Sequence, residues 1–514
     1  NAAALRDGTA MTPAFSSFAG TVEAKEGAFT ASQVALLGKT VTAGWDADFQ
    51  NTPQLTVAAA SGAVTVDEVA GGKISVNLLD FASADDSVVA DLGGLTAVGT
   101  AVDAASQGDV YALDVKFDEK SPVSVRAAGY ADLDGAIDSR VDVVGESVRV
   151  AAYDKLTVGD VSAETTALLT GDAGVRVVGE VSAGEKVVVK SGGGDVVVDK
   201  DATFNAEFMS GSYPTLTIFG ENVDFGGAAR TRGGMSLAAD GGDVTLRSGS
   251  ELWNYVAGDI AIGANDGNVI LESGSLITGN GSGGVDIRTT GAASSGGVCE
   301  SGSGNIRLDG NVYGAGLVKA DAVGSIGSSG YEGSDGGVSL VARGGGLSLD
   351  DGAEVTLWGG SGGVELFAGQ GNLTVAENAS VSGMGSDVSI DAVGDVSVDG
   401  RVSGPGVWIA SKSGNVGIGG KVNIHAEGET GGVSLRDGSD LSIMGDDASL
   451  VVSAGGGGLE MEKDASILAT GNGVKTATGM TVALGSTSGD VLVGGSVTVE
   501  ADESTVEIGT GKID

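Results

Sequence analysis

Val338-Ser339-Leu340, Leu347-Ser348-Leu349, Val364-Glu365-Leu366, Leu373-Thr374-Val375, Val388-Ser389-Ile390 and Val396-Ser397-Val398 repeat one short pattern. Two branched aliphatics flank a small or polar residue, and Gly, Asp, Asn and Ser fill the gaps. Val407-Trp408-Ile409, Val416-Gly417-Ile418, Val433-Ser434-Leu435 and Leu441-Ser442-Ile443 continue it. Side chains alternate faces along a strand, so the aliphatics share one face and the middle residue takes the other. A helix would need apolar residues at spacings of three and four, and each bracketing Gly would cost its interior roughly 1 kcal/mol. The stretch therefore reads as short strands with one dry face. Triplets come in pairs about nine residues apart, and the pairs restart after roughly 19 to 26 residues. That interval is the length of a solenoid coil.

Working outward, the same grammar recurs in Leu55-Thr56-Val57, Val64-Thr65-Val66, Val148-Arg149-Val150, Val187-Val188-Val189, Val244-Thr245-Leu246 and Val497-Thr498-Val499. Three regions follow from its regularity. Residues 1–54 hold Phe15, Phe18, Phe29, Trp45 and Phe49 and read as an irregular N-terminal cap or assembly region, since a solenoid end leaves core and backbone groups uncovered. Residues 55–140 read as early, irregular coils with an excursion near 80–110, and residues 141–514 as the regular body. Within that body, the aromatic-rich segment 202–235 is expected as a loop on the outside of the coils or as a wider coil. The Gly/Ser-rich segment 288–337 is expected as extended loops on one edge.

Composition supports a single elongated repeat body. Glycine accounts for 92 of 514 residues and aromatics for 4%. Small and branched side chains suit a narrow core built in layers, not a wide globular one. A hydrophobic share of 41% and a mean hydropathy of +0.18 set the chain apart from disordered sequence despite its charge. The balance of 69 acidic and 28 basic residues gives a net charge of −41, which argues against nucleic acid or an anionic membrane as partner. It favours a self-repelling surface or one that gathers divalent cations. A single cysteine, Cys299, makes no internal disulfide. No apolar run is long enough for a membrane-spanning helix. A chain that starts Asn1-Ala2-Ala3-Ala4 is expected to be a processed mature protein or a fragment.

The run Gly-Gly-Val-Ser-Leu, Gly-Asn-Leu-Thr-Val, Gly-Asp-Val-Ser-Val, Gly-Asn-Val-Gly-Ile, within 336–418, resembles the coils of filamentous-haemagglutinin-like adhesins and autotransporter passengers. The resemblance covers about residues 140 to 510. It implies an all-β, right-handed parallel β-helix (β-solenoid), located extracellularly at the cell surface and acting as a filament, surface-layer or adhesin subunit. Its implied partners are other copies of itself or cell-surface components, including carbohydrate.

Several residue groups are candidates for chemistry. Tyr130-Ala131-Asp132-Leu133-Asp134-Gly135-Ala136-Ile137-Asp138 resembles the middle of a calcium loop, with Asp132, Asp134 and Asp138 as ligands and Gly135 at the turn. The alternative is an acidic solvated turn. No cofactor is required by the sequence, and calcium is the one it offers a place for. Trp253, Tyr255 and Trp408 fall in outward slots, where aromatics stack on sugars, bury in a partner interface or lie under a neighbouring loop. Asn280, Asn372 and Asn378 begin glycan acceptor patterns. A polysaccharide-degrading enzyme is the alternative function class. Met444-Gly445-Asp446-Asp447 resembles one piece of a polygalacturonase signature, and Arg343 or Lys412 would serve as the base of a lyase. The companion residues are missing, and His425, the only histidine, falls in a solvent-facing slot. The expectation is a non-enzymatic structural or adhesive protein.

Overall fold

The computed structural model describes residues 109–403 apart from 207–212, 214, 281–282, 291–303, 360–361 and 385. Outside that span it describes strands and short connections between 21 and 106 and between 407 and 510. Among the described residues every regular element is a β-strand and nearly every pairing is parallel, in the manner of a β-solenoid. The chain divides into two compact units, residues 1–232 and 233–514. That boundary falls inside the stretch whose sequence reads as one regular body.

In the first unit the coil changes shape as the chain proceeds. Strands Asp109–Phe117, Tyr130–Ile137, Ser147–Ala152 and Thr166–Gly171 form one ladder. Strands Thr96–Ser106, Val123–Ala127, Arg140–Gly145 and Lys155–Ala163 form the other, so each coil has two sides. The register slips between Val141 and Val143, where Gly159 and Asp160 bulge out of the partner strand. One coil later that bulge has become a corner. Lys155–Val158 pairs with Gly174–Val177 while Val161–Ala163 pairs with Val181–Ala183, and the coils are three-sided from there. A bulge bends its strand and sharpens the local twist, which is how an added corner begins.

Three sides persist through the second unit. One face stacks Val318–Ala322, Val338–Ala342, Val364–Ala368 and Val388–Ala392. A second stacks Ile306–Leu308, Ile326–Ser328, Leu347–Leu349 and Leu373–Val375. The third stacks Glu251–Asn254, Leu276–Gly279, Asn311–Gly314, Tyr331–Ser334, Glu354–Leu357 and Ser380–Gly383. Equivalent residues lie directly over one another, so Leu340, Leu366 and Ile390 make one buried column. At corners, side-chain oxygens capture the backbone N–H of the next coil. Asn268 N–H donates to Asp243 at 2.7 Å, Asn305 N–H to Asn268 at 3.1 Å and Ser325 N–H to Asn305 at 2.8 Å. This is why Asn and Asp punctuate the triplets, for a corner removes backbone groups from the strand ladder and they still need partners.

Several expectations change. Of the two expectations for segment 202–235, its described strands Thr203–Ala206, Thr215–Gly220, Val223–Phe225 and Ala228–Thr231 fit a place within the coils. Phe204 and Phe225 are fully buried and stacked at 6.2 Å, while Phe208 and Pro214 lie outside the described residues. The described residues of segment 288–337 are likewise mostly strand, including Ile306–Leu308, Asn311–Gly314, Val318–Ala322, Ile326–Ser328 and Tyr331–Ser334, while the Gly/Ser-rich residues 291–303 lie outside the described residues. Serine takes inward slots there at Ser328 and Ser334, and glycine takes outward ones at Gly327 and Gly333. In the N-terminal region, strands Thr21–Ala28 and Thr40–Asp48 pair in parallel, as do Val34–Gly38 and Gln54–Ala59. Part of the expected cap therefore has the ladder of the coils themselves.

Column packing sets the first prediction. Leu366→Ala is expected to lower unfolding stability by about 2–5 kcal/mol, and Leu366→Asp to lower it further by burying an unpaired charge between Leu340 and Ile390. Glu365→Ala, one residue away on the exposed face, is expected to stay within about 0.5 kcal/mol of the parent in the same denaturant titration.

Candidate functional site

The third face of the second unit carries the aromatic side chains. Its strands alternate outward and inward, so Val312, Glu332 and Val355 point into the core while their neighbours point out. Trp253, Thr278, Tyr313, Gly333 and Thr356 follow one another in register along one column of this face. Asn311, Tyr331 and Glu354 follow one another in the column beside it. At ~4.8 Å per strand the distance from the strand of Trp253 to that of Glu354 is ~19 Å.

The rings form two groups. Trp253 and Tyr255 lie 5.8 Å apart between centroids and are tilted by 40°. Tyr313, Tyr331 and Trp358 form a triangle with centroid separations of 4.9, 5.8 and 6.1 Å and interplanar angles of 28°, 28° and 11°. Such offset, near-parallel rings are favourable beyond the area they bury. Gly333 makes the second group possible. A Cβ there would stand 2.4 Å from Tyr331 Cε1 and 2.7 Å from the edge of the Trp358 ring, so the two rings rest on a position without a side chain. Trp358 keeps 44% of its surface in solvent and Tyr255 37%.

Polar groups border the rings. Thr356 donates to Glu354 Oε1 at 3.2 Å, and both Glu354 and Asn311 are exposed. Burial, followed by the Glu354 carboxylate, pushes the Tyr331 hydroxyl up to about 12, so it is a neutral donor at any physiological pH.

Beneath the rings the coil is polar. Glu332 occupies the core column between Val312 and Val355 and is fully buried. Ser328, in the column of Leu308 and Leu349, donates to Glu332 Oε1 at 2.8 Å. Glu332 Oε2 is buried without a hydrogen-bond partner among the described residues. The same coil is covered from outside. Arg307 reaches Asp309 at 2.7 Å and, past Gly327 in the intervening strand, Asp350 at 2.7 Å.

The residues singled out from sequence have different fates. Trp253 and Tyr255 do share a face. Trp408 lies in strand Val407–Ser411 next to Ser389, on another side of the coil, so the register does not bring it to the aromatic face; its side chain lies outside the described residues. The calcium loop is not formed. Tyr130–Ile137 is a strand, and the extended backbone cannot wrap Asp132, Asp134 and Asp138 around one ion. Arg149 of the next strand takes the first two, at 2.6 Å to Asp132 and 3.0 Å to Asp134, while Asp138 is exposed beyond the strand end. Gly135 serves the strand pairing and not an ion loop. It has a φ of 145°, and a Cβ there would meet the Val115 carbonyl oxygen at 2.2 Å. Among the described residues, no three His, Cys, Asp or Glu side chains are grouped to hold a metal. Arg343 is ion-paired with Asp321. Burial alone would raise the Asp321 carboxyl, but Arg343 and Lys319 outweigh it and hold it below the usual range. Cys299, Lys412, His425, Asp446 and Asp447 lie outside the described residues. Asn280, Asn372 and Asn378 are exposed at corners, and Asn372 accepts the Asp395 N–H at 2.9 Å.

Tyr313, Tyr331, Trp358 and the buried Glu332 escape a reading based on aliphatic triplets. The third strand of each coil has two inward slots, but the second is Asn254, Gly279, Gly314, Ser334 or Gly383 in five of its six strands, so only Val355-Thr356-Leu357 forms an aliphatic triplet there. The usable signal was alignment of Asn311-Val312-Tyr313, Tyr331-Glu332-Gly333 and Glu354-Val355-Thr356 as one column set, with the glycine opposite the rings.

No family model matches the chain, and neither the curated proteins nor the solved structures yield a significant match.

Glu332 makes stability depend on pH in a definite direction. Burial lifts its carboxyl from the ordinary 4.5 to about 8. The folded state therefore retains a proton that the unfolded state has released, and stability from this group is full below pH 4.5 and declines as pH rises to about 8. At pH 7 the loss is about 3 kcal/mol. Glu332→Val, matching Val312 and Val355, is expected to raise stability at pH 7 by that order and not at pH 4. Parallel titrations of the two chains check it, and an equal difference at both pH values would contradict the assignment.

Proposed function

We propose that this chain is a non-enzymatic extracellular β-solenoid that acts as a structural or adhesive cell-surface protein, as a filament, surface-layer or adhesin subunit. The observation that carries the reading is the aromatic face. Tyr331 and Trp358 rest over Gly333 on an ordered sheet with Tyr313 stacked against both, and Trp358 keeps 44% of its surface in solvent. Large rings kept partly wet on a stiff surface suit contact with another molecule. The parallel ladder supplies the rigidity, since every strand within a unit is fixed by those above and below it. The resemblance of its coil grammar to filamentous-haemagglutinin-like surface proteins supports the location.

In this reading the acidic surface makes assembly dependent on cations, calcium among them, because a net charge of −41 otherwise keeps copies apart. The described residues include no helix long and apolar enough to cross a membrane.

Immunogold electron microscopy of intact source cells, combined with imaging of the purified chain with and without a calcium chelator, tests the proposal. Label at the outer surface and ordered polymers dispersed by chelation are expected of a filament or lattice subunit. Surface label with isolated particles would identify an adhesin. Label confined to the cell interior would overturn the reading, and release of reducing sugars from a polysaccharide panel would replace it with the enzymatic alternative.

A further inference from the structure

The aromatic face carries two separate ring groups. Trp253 and Tyr255 stand at one end and Tyr313, Tyr331 and Trp358 at the other, with Thr278 between them in the column that joins Trp253 to Tyr313. Asn311 and Glu354 flank the second group as exposed hydrogen-bonding side chains. Apolar islands interrupted by hydroxyl, amide and carboxylate groups at strand intervals fit a ligand that is itself a repeat of small amphipathic units.

We infer that this face binds a linear, uncharged polysaccharide lying across the strands, along the coil stack. The inference rests on the contact function proposed above and names its ligand class. A sugar ring presents a face of C–H groups and a rim of hydroxyls. The C–H face packs on the ring surfaces, with Trp358 the most open of the second group. The hydroxyl rim meets the Glu354 carboxylate, which accepts, and the Asn311 amide, which both donates and accepts. Trp253 lies two strands from Tyr313, ~10 Å away along the stack, so one extended chain reaches both ring groups while a single sugar reaches only one.

Charge narrows the class. Nucleobases also stack on aromatic rings, but their phosphates, like the carboxylates and sulfates of acidic glycans, approach a chain of net charge −41. Glu354 stands beside the rings and adds to that repulsion locally. Uncharged sugars are exempt from it.

Calorimetric titration of the full chain with hexasaccharides of glucose, xylose and N-acetylglucosamine, their disaccharides, and oligogalacturonate of equal length tests the inference. At least one neutral hexasaccharide is expected to bind tenfold or more tightly than its disaccharide and than oligogalacturonate. Trp358→Ala is expected to weaken it at least tenfold and Trp358→Phe to restore most of the loss, with far-ultraviolet dichroism and melting unchanged as the check on folding. Trp253→Ala is expected to abolish the advantage of the hexasaccharide over the disaccharide. No neutral hexasaccharide binding at millimolar concentration, preference for the acidic oligomer, or binding indifferent to Trp358→Ala would overturn the assignment. Sedimentation of the same variants reads the competing occupant, a second copy; self-association that disappears in Trp358→Ala without sugar binding would assign the face to it. Surface labelling is independent of these titrations, so failure of the ligand class and failure of the surface reading give different results.

Discussion

Every coil in this protein depends on parallel pairing in strict register, because register is what stacks like residues into continuous inward columns. A strand of three residues such as Leu373–Val375 has too few contacts of its own to persist. Placed between Leu347–Leu349 and Val396–Val398, it gains a full set of backbone partners and a dry aliphatic layer on both sides. A slip of one residue would turn all of those aliphatics to solvent, so the hydrophobic pattern itself locks the register. The corner hydrogen bonds act in the same direction. The run from Asp243 through Asn268 and Asn305 to Ser325 ties each coil to the next where the strands end.

One coil of the second unit departs from this economy, and its departures belong together. Inside, Ser328 and Glu332 replace aliphatics found at the equivalent places in both neighbouring coils. Outside, Gly327 and Gly333 leave no side chain of their own, and neighbouring residues spread over them. Arg307 spans to Asp350 past the first, and Tyr331 and Trp358 rest on the second. The same glycine that opens the platform for the rings thus lies one residue from a carboxyl kept neutral by burial. A buried polar group costs stability and specifies a local arrangement only when its partners are in place. Here the neighbouring coils keep aliphatics at both places, and the polar coil sits directly under the aromatic face.

The sequence made much of this legible for a simple physical reason. Alternation with a period of two is written in adjacent residues, and Gly, Asn and Asp mark the corners, so the strands 338–342, 347–349, 364–368 and 373–375 follow from local pattern alone. The third side of each coil was harder to see, since the second inward slot of its strands is mostly filled by Asn254, Gly279, Gly314, Ser334 and Gly383 and not by an aliphatic. The calcium-like stretch folds as a strand for a related reason. Asp132, Asp134 and Asp138 have the spacing of a loop, but their alternation with Ala131, Leu133 and Ile137 is that of a strand, and the strand pattern prevailed because it buries three side chains. Arg149, the cation that answers those carboxylates, is next to them only through pairing of one coil with the next.

By itself, then, the sequence determined the β-solenoid architecture, the inward identity of its aliphatics and the sign of its surface, because each of these is a property of neighbouring residues or of composition. Tertiary structure alone decided the number of sides to a coil, the pairing of Arg149 with Asp132 and Asp134, and the meeting of Tyr313, Tyr331 and Trp358 beside Gly333. Those outcomes require knowing which residue lies above which. Coil length varies with each corner, so vertical neighbours are set by the accumulated register of the stack and not by any fixed separation along the chain.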